Sequence, residues 1–87
     1  MNYTYVALKK ILNELVPEQY PTVSNVRIID DESDDIHKYR VFLGVRPNDL
    51  HKIDSGEIRD YVESISKYVL GSNETIHQVL FYNPDNL

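Results

Sequence analysis

Between residues 38 and 46 apolar and polar positions alternate strictly, with Tyr39, Val41, Leu43 and Val45 on one side and Arg40, Phe42, Gly44 and Arg46 on the other. A period of two is the signature of a strand with one buried face, so this stretch predicts a strand from about Lys38 to Arg46 whose first set lies in the core. The second set pairs two arginines with a phenylalanine where a one-sided sheet should meet water, which makes it the leading candidate for a working surface. An earlier strand is expected from about Val23 to Asp30, with Val26 and Ile28 inward and Asn25, Arg27 and Ile29 outward; Ile29 could also turn inward through a bulge. The acidic run Asp30-Asp31-Glu32-Ser33-Asp34-Asp35 is expected to form the hairpin tip between them.

The pattern changes to a helical period on either side of the hairpin. Tyr5, Leu8, Leu12 and Leu15, with Ile11 beside them, predict a helix over about 4–15 that Pro17 ends, with Lys9, Lys10 and Glu14 toward water. Pro21 holds Tyr20 extended at the entrance to the first strand. Pro47-Asn48-Asp49 is turn chemistry, with Leu50 and Ile53 expected to tuck the connection against the core. Asp54 or Ser55 caps a second helix, in which Ile58, Tyr61, Val62, Ile65, Tyr68 and Val69 form the apolar stripe and Glu63 with Lys67 an i, i+4 pair. Gly71 is expected to supply a left-handed cap, and Thr75–Tyr82 a third strand, closed by Pro84. Either Gln78, Leu80 and Tyr82 or His77, Val79 and Phe81 would face outward.

Two helices with one apolar stripe each can share a core with three strands only by stacking on the same sheet face. The expected fold is therefore an α+β two-layer sandwich in the order αββαβ, one domain over residues 1–87, with the opposite sheet face open. Its core should contain Leu8, Leu12, Val26, Ile28, Val41, Leu43, Ile58, Val62, Ile65 and Val69. At 41% hydrophobic and 26% charged residues the composition is that of an ordinary globular domain. No apolar run approaches a membrane span, and Met1-Asn2-Tyr3-Thr4-Tyr5 lacks the basic start of a secretory signal, so a soluble, intracellular (cytoplasmic) protein with no membrane partner is expected.

The absence of cysteine removes disulfides, thiolate metal sites and cysteine nucleophiles. A net charge of −5 argues against binding driven by bulk attraction to phosphates, although a local basic patch can act within an acidic protein. The acidic run Asp30, Asp31, Glu32, Asp34 and Asp35 fails the EF-hand grammar, because Asp35 and Val41 stand where the turn glycine and the bidentate glutamate belong. It reads as a solvated tip or as an acidic docking loop for a basic partner. His37, His51 and His77 lack helix-borne metal spacing, no serine sits in a nucleophile elbow, and Gly44, Gly56 and Gly71 are isolated. No catalytic residue, metal site or cofactor is therefore predicted.

Of the seven tyrosines, Tyr5, Tyr39, Tyr61 and Tyr68 take core positions, while Tyr3, Tyr20 and Tyr82 are left for contacts. Arg27, Ile29, Arg40, Phe42, Arg46 and Tyr82 would form a mixed apolar and cationic interaction patch; alternatively Phe42 is a lone exposed ring or is covered by the C-terminal tail ending in Leu87.

The element order, with Pro21-Thr22-Val23-Ser24-Asn25-Val26, Tyr39-Arg40-Val41-Phe42-Leu43 and Val79-Leu80-Phe81-Tyr82-Asn83-Pro84-Asp85-Asn86-Leu87, resembles the KH-like fold of the ribosome-binding factor A family. That resemblance implies a non-enzymatic protein that binds RNA on the small ribosomal subunit. The smooth Ile58–Val69 helix lacks that family's kinked small-residue junction, and the acidic tip also departs from it. The leading expectation is thus a non-catalytic protein-interaction module, an adaptor or structural subunit of a larger assembly such as a phage particle, meeting a protein partner or a second copy through the open sheet face. The alternative is a KH-like RNA-binding domain acting in ribosome assembly.

Overall fold

A computed structural model describes residues 2–33 and 36–86. The chain runs α1 (Tyr3–Gln19), β1 (Val23–Ser33), β2 (Ile36–Val45), a 3-10 turn (Pro47–Lys52), α2 (Ser55–Ser66) and β3 (Glu74–Tyr82). The sheet order is β1-β2-β3, antiparallel between β1 and β2 and parallel between β2 and β3. Both helices pack on one face of this mixed sheet, giving the expected α+β two-layer sandwich. A parallel β2–β3 pair needs a crossover, and α2 supplies it.

The inner face of β2 is the centre of the core. Tyr39, Val41, Leu43 and Val45 are all buried, against Leu8, Leu12 and Val16 of α1 and Ile58, Val62 and Ile65 of α2. Val26 and Ile28 complete this layer from β1, and Ile29 faces outward. The bulge lies instead between Val23 and Val26, where the register shifts.

Several local expectations are corrected. Pro17 lies inside α1 rather than ending it. Its ring removes one backbone bond, but burial of Val16 and the Tyr20 N–H bond to the Val16 carbonyl (2.8 Å) hold the last turn together. Leu50 is exposed, since it belongs to a 3-10 turn with no buried residue, whereas Ile53 packs on the core. The second helix ends at Ser66, so Tyr68 falls outside the helical stripe and is 86% exposed, while Val69 is only half-buried. Glu63 pairs back to Arg59 rather than forward to Lys67, which has become the C-cap. Gly71 does not adopt a left-handed conformation; its N–H instead donates to Glu74 Oε1 at 2.7 Å. Asp54 is the N-cap of α2, accepting from the N–H groups of Gly56 and Glu57.

The acidic run is the largest correction. Asp30 to Ser33 continue β1 instead of forming a loop, because their register partners Tyr39, Lys38, His37 and Ile36 extend β2 to meet them. Asp34 and Asp35 lie outside the described residues. Two of the supposedly solvated carboxylates are tied into the sheet. Asp30 accepts from His37 Nδ1 (2.9 Å) and Asn2 Nδ2 (2.8 Å), and Asp31 forms a bidentate pair with Arg40.

Candidate functional site

The side of the sheet away from the helices is built in rows by the strand register. Ile29 of β1, Arg40 of β2 and Gln78 of β3 form one row, and Arg27, Phe42 and Leu80 the next. The third row is Gly44 with Tyr82. A bulge between Tyr39 and Arg40 on the β2–β3 ladder leaves His77 without a register partner, and this selects Gln78, Leu80 and Tyr82 as the outward set of β3. Val79 and Phe81 pack on the core.

Gly44 fits the third row for a steric reason. An added Cβ would meet the side chains of Asn25 and Ser24 and the Tyr82 hydroxyl, the last two at 3.0 Å. Without a side chain, β2 lets the Tyr82 hydroxyl reach across the sheet and donate to Asn25 Oδ1 on the far strand. Arg27 then stacks over the Tyr82 ring at 4.9 Å from its centroid, a cation–π contact that joins β1 to β3 across β2. Arg40 lies 6.0 Å from the Phe42 centroid while its guanidinium holds Asp31.

Five of the six residues singled out in the sequence share this face: Arg27, Ile29, Arg40, Phe42 and Tyr82. Arg46 stands apart, beyond the end of β2, with Nε 3.3 Å from Asp85 Oδ2 and facing a groove shared with Pro21, Thr22, Asp49 and Lys52. The acidic residues also divide. Asp31 belongs to the open face, Asp30 to a polar network at one end of the sheet, and Glu32 is exposed. Asn86 of the C-terminal tail lines the same groove as Phe42, while Leu87 lies outside the described residues. Leu80 was legible only as one of two alternating sets on β3, because a strand's own periodicity does not say which set faces the helices.

The polar network is a feature that the sequence did not signal. Tyr39 is fully buried, and its hydroxyl donates to Glu74 Oε2 (3.1 Å) and accepts from Asn2 Nδ2 (3.0 Å). Burial pushes this phenol up to about 12. Glu74 also accepts from Thr4 Oγ1 and the Gly71 N–H; burial raises its carboxyl, but those bonds together with Tyr39 outweigh it and leave the pKa lowered. The hydrogen bond to Asp30 holds His37 above its ordinary value, against an opposing effect of desolvation, with the charges of Asp30, Glu32 and Glu74 adding to the rise. Because a carboxylate only accepts, His37 Nδ1 carries the hydrogen in this pair. The network therefore ties α1, the hairpin and β3 together.

No nucleophile is paired with a base in these contacts, and no group of three His, Asp or Glu side chains among the described residues converges to hold a metal ion. No helix among the described residues is long and apolar enough to cross a membrane. What the open face offers is an apolar and cationic surface, with Ile29 43% and Leu80 37% exposed flanking the half-buried Phe42.

The architecture is one seen in other proteins. No family model and no curated protein matches the chain. Its fold is similar to that of the MamB CTD magnetosome protein from Desulfamplus magnetovallimortis BW-1, with a TM-score of 0.63 and 23% identity over 92% of this chain and 91% of that one. A benzoate CoA ligase from Burkholderia xenovorans LB400 contains a similar region, with a TM-score of 0.57 and 14% identity over 95% of this chain but only 16% of the ligase. At such identities the likeness is one of fold alone.

Proposed function

We propose that this chain is a non-catalytic protein-interaction module, an adaptor or structural subunit, that binds through the open sheet face. The observation that carries the reading is the continuous row of Arg27, the half-buried Phe42 and Leu80, with Ile29 beside it, on the side of the sheet away from both helices. Exposed apolar side chains gathered beside an arginine and a tyrosine have the composition of a protein interface. The same fold occurs in a magnetosome protein, MamB, which fits a part played within a larger assembly.

An RNA-binding role has weaker support. Arg40 and Arg46 are both paired with carboxylates, which reduces what two of the three candidate arginines can offer to phosphates. Phe42→Ser and Leu80→Asp test the leading reading. Each should abolish association with a protein partner or a second copy, read by sedimentation or chemical cross-linking, while the thermal midpoint stays near that of the unaltered protein. A chain that stays monomeric, recovers no protein partner and shifts ribosomal RNA at low salt in an Arg27-dependent way would overturn it.

A further inference from the structure

The sheet has two edges, and on that of β1 the Val26 peptide is capped by a side chain of α1. Asn13 of α1 sets its side-chain amide against the Val26 peptide, donating to the Val26 carbonyl (2.9 Å) and accepting from the Val26 N–H (2.8 Å). The amide thus imitates a neighbouring strand for one residue. It also shows that the backbone groups of Val26 point away from β2. Since β1 pairs without interruption from Val26 to Ser33, those of Ile28 and Asp30 point the same way by the two-residue period. Past Asn13 the edge opens into a groove of about 660 Å³, bounded by Tyr5 and Lys9 on the helix side and by Phe42 and Tyr82 on the open face. Unpaired strand edges are templates for another strand.

Resting on the proposed interaction role, we infer that this edge receives the same edge of a second copy, antiparallel, with Ile28 of each copy against Asp30 of the other about a two-fold axis at Ile29. Residue sums are constant along an antiparallel pair, so this register sets Ile29 against itself and Arg27 against Asp31 of the second copy. An apolar contact then lies at the axis and an opposite-charge pair lies on each side of it, all on the open face. Sliding by one repeat toward the hairpin would oppose Asp30 to Asp30 and bury Ile29 against Asp31. Sliding the other way would require Asn13 to release Val26. Charge and hydrogen bonding therefore favour one register. The ladder is short, because Asn13 closes it at Val26, so the dimer is weak and depends on concentration.

The chain contains no cysteine, which permits a single-cysteine test. A non-hydrogen-bonded antiparallel pair brings Cα atoms to about 4.5 Å, within disulfide range. Ile29→Cys should therefore cross-link to itself under mild oxidation. Arg27→Cys should not, its own copy lying about 13 Å away along the strand; mixed with Asp31→Cys it should form the heterodimer. Ile29→Lys should weaken dimerisation at least about tenfold in sedimentation, since like charges would meet at the axis. Ile29 is exposed, so circular dichroism should show these variants folded. Self-association in which Arg27→Cys cross-links to itself as readily as Ile29→Cys would overturn the edge pairing and leave the open-face reading standing. A wild type that remains monomeric at millimolar concentration would also overturn it. Retention of partners in Phe42→Ser and Leu80→Asp with Ile29→Cys cross-linking intact would break the face and keep the edge.

Discussion

The two faces of β2 carry the same alternation yet differ in kind. On the inner face Tyr39, Val41, Leu43 and Val45 meet both helices and none is more than 1% exposed. On the outer face Arg40 and Phe42 remain half-open, and only Gly44 is buried, under the side chains that cross it. Apolar character alone does not separate the faces, since Phe42 and Leu80 are as hydrophobic as their inner counterparts. What separates them is whether a second layer exists to exclude water. The inner face therefore carries stability, and the outer face is left to carry contact.

The most direct way to break this contrast is to truncate both sides alike. Leu43→Ala should lower stability by about 2–5 kcal/mol, because a filled site with no access to water is left as a cavity. Leu80→Ala should cost less than about 1 kcal/mol, since the side chain already touches solvent. Urea unfolding of the two variants checks the pair, and equal losses would show that the outer face is covered. A smaller effect is expected of Tyr39→Phe, about 1–2 kcal/mol, as Glu74 loses a buried donor while keeping Thr4 and Gly71.

Gly44→Ala should cost about 1 kcal/mol, because the atoms in its way are ends of side chains that can shift. Its sharper consequence is local, since the Tyr82 hydroxyl must leave Asn25, and this would appear in the tyrosine and asparagine side-chain NMR signals. The smallest expected effect is electrostatic. His37 binds its proton more tightly in the folded state, so its contribution is complete below the ordinary histidine value of 6.5 and is lost as pH rises through the higher folded value. Glu74 acts in the opposite sense, because its lowered pKa contributes above the ordinary 4.5 and is lost as pH falls below that. Denaturant midpoints across pH should show both limbs, with His37→Gln removing the upper and Glu74→Gln the lower.

Much of this was legible before any coordinates. Strict alternation in β2 identified its buried set, and the i, i+3, i+4 spacing of Ile58, Val62 and Ile65 identified the face of α2. Errors gathered where a local signal competes with a distant partner. Six consecutive residues rich in acids suggested a water-exposed turn, yet His37 and Arg40 on the returning strand hydrogen-bond Asp30 and Asp31 and draw them into the sheet. The stripe of α2 continued in the sequence to Tyr68, but the helix had ended at Ser66 and the tyrosine swung into solvent.

By itself the sequence determined the order of elements, the two-layer packing and most of the core, because those follow from periodicity and from the need to bury one stripe per element. Tertiary structure alone decided which side of β3 faces outward, that Tyr82 reaches over Gly44 to Asn25, that Asn13 occupies part of the β1 edge, and that Tyr39 is held between Asn2 and Glu74. Each of these depends on groups far apart in the chain, 13 residues for Asn13 with Val26 and 57 for Tyr82 with Asn25. No local pattern records such a pair, because the hydrogen bond that selects it exists only once the strands have set their register.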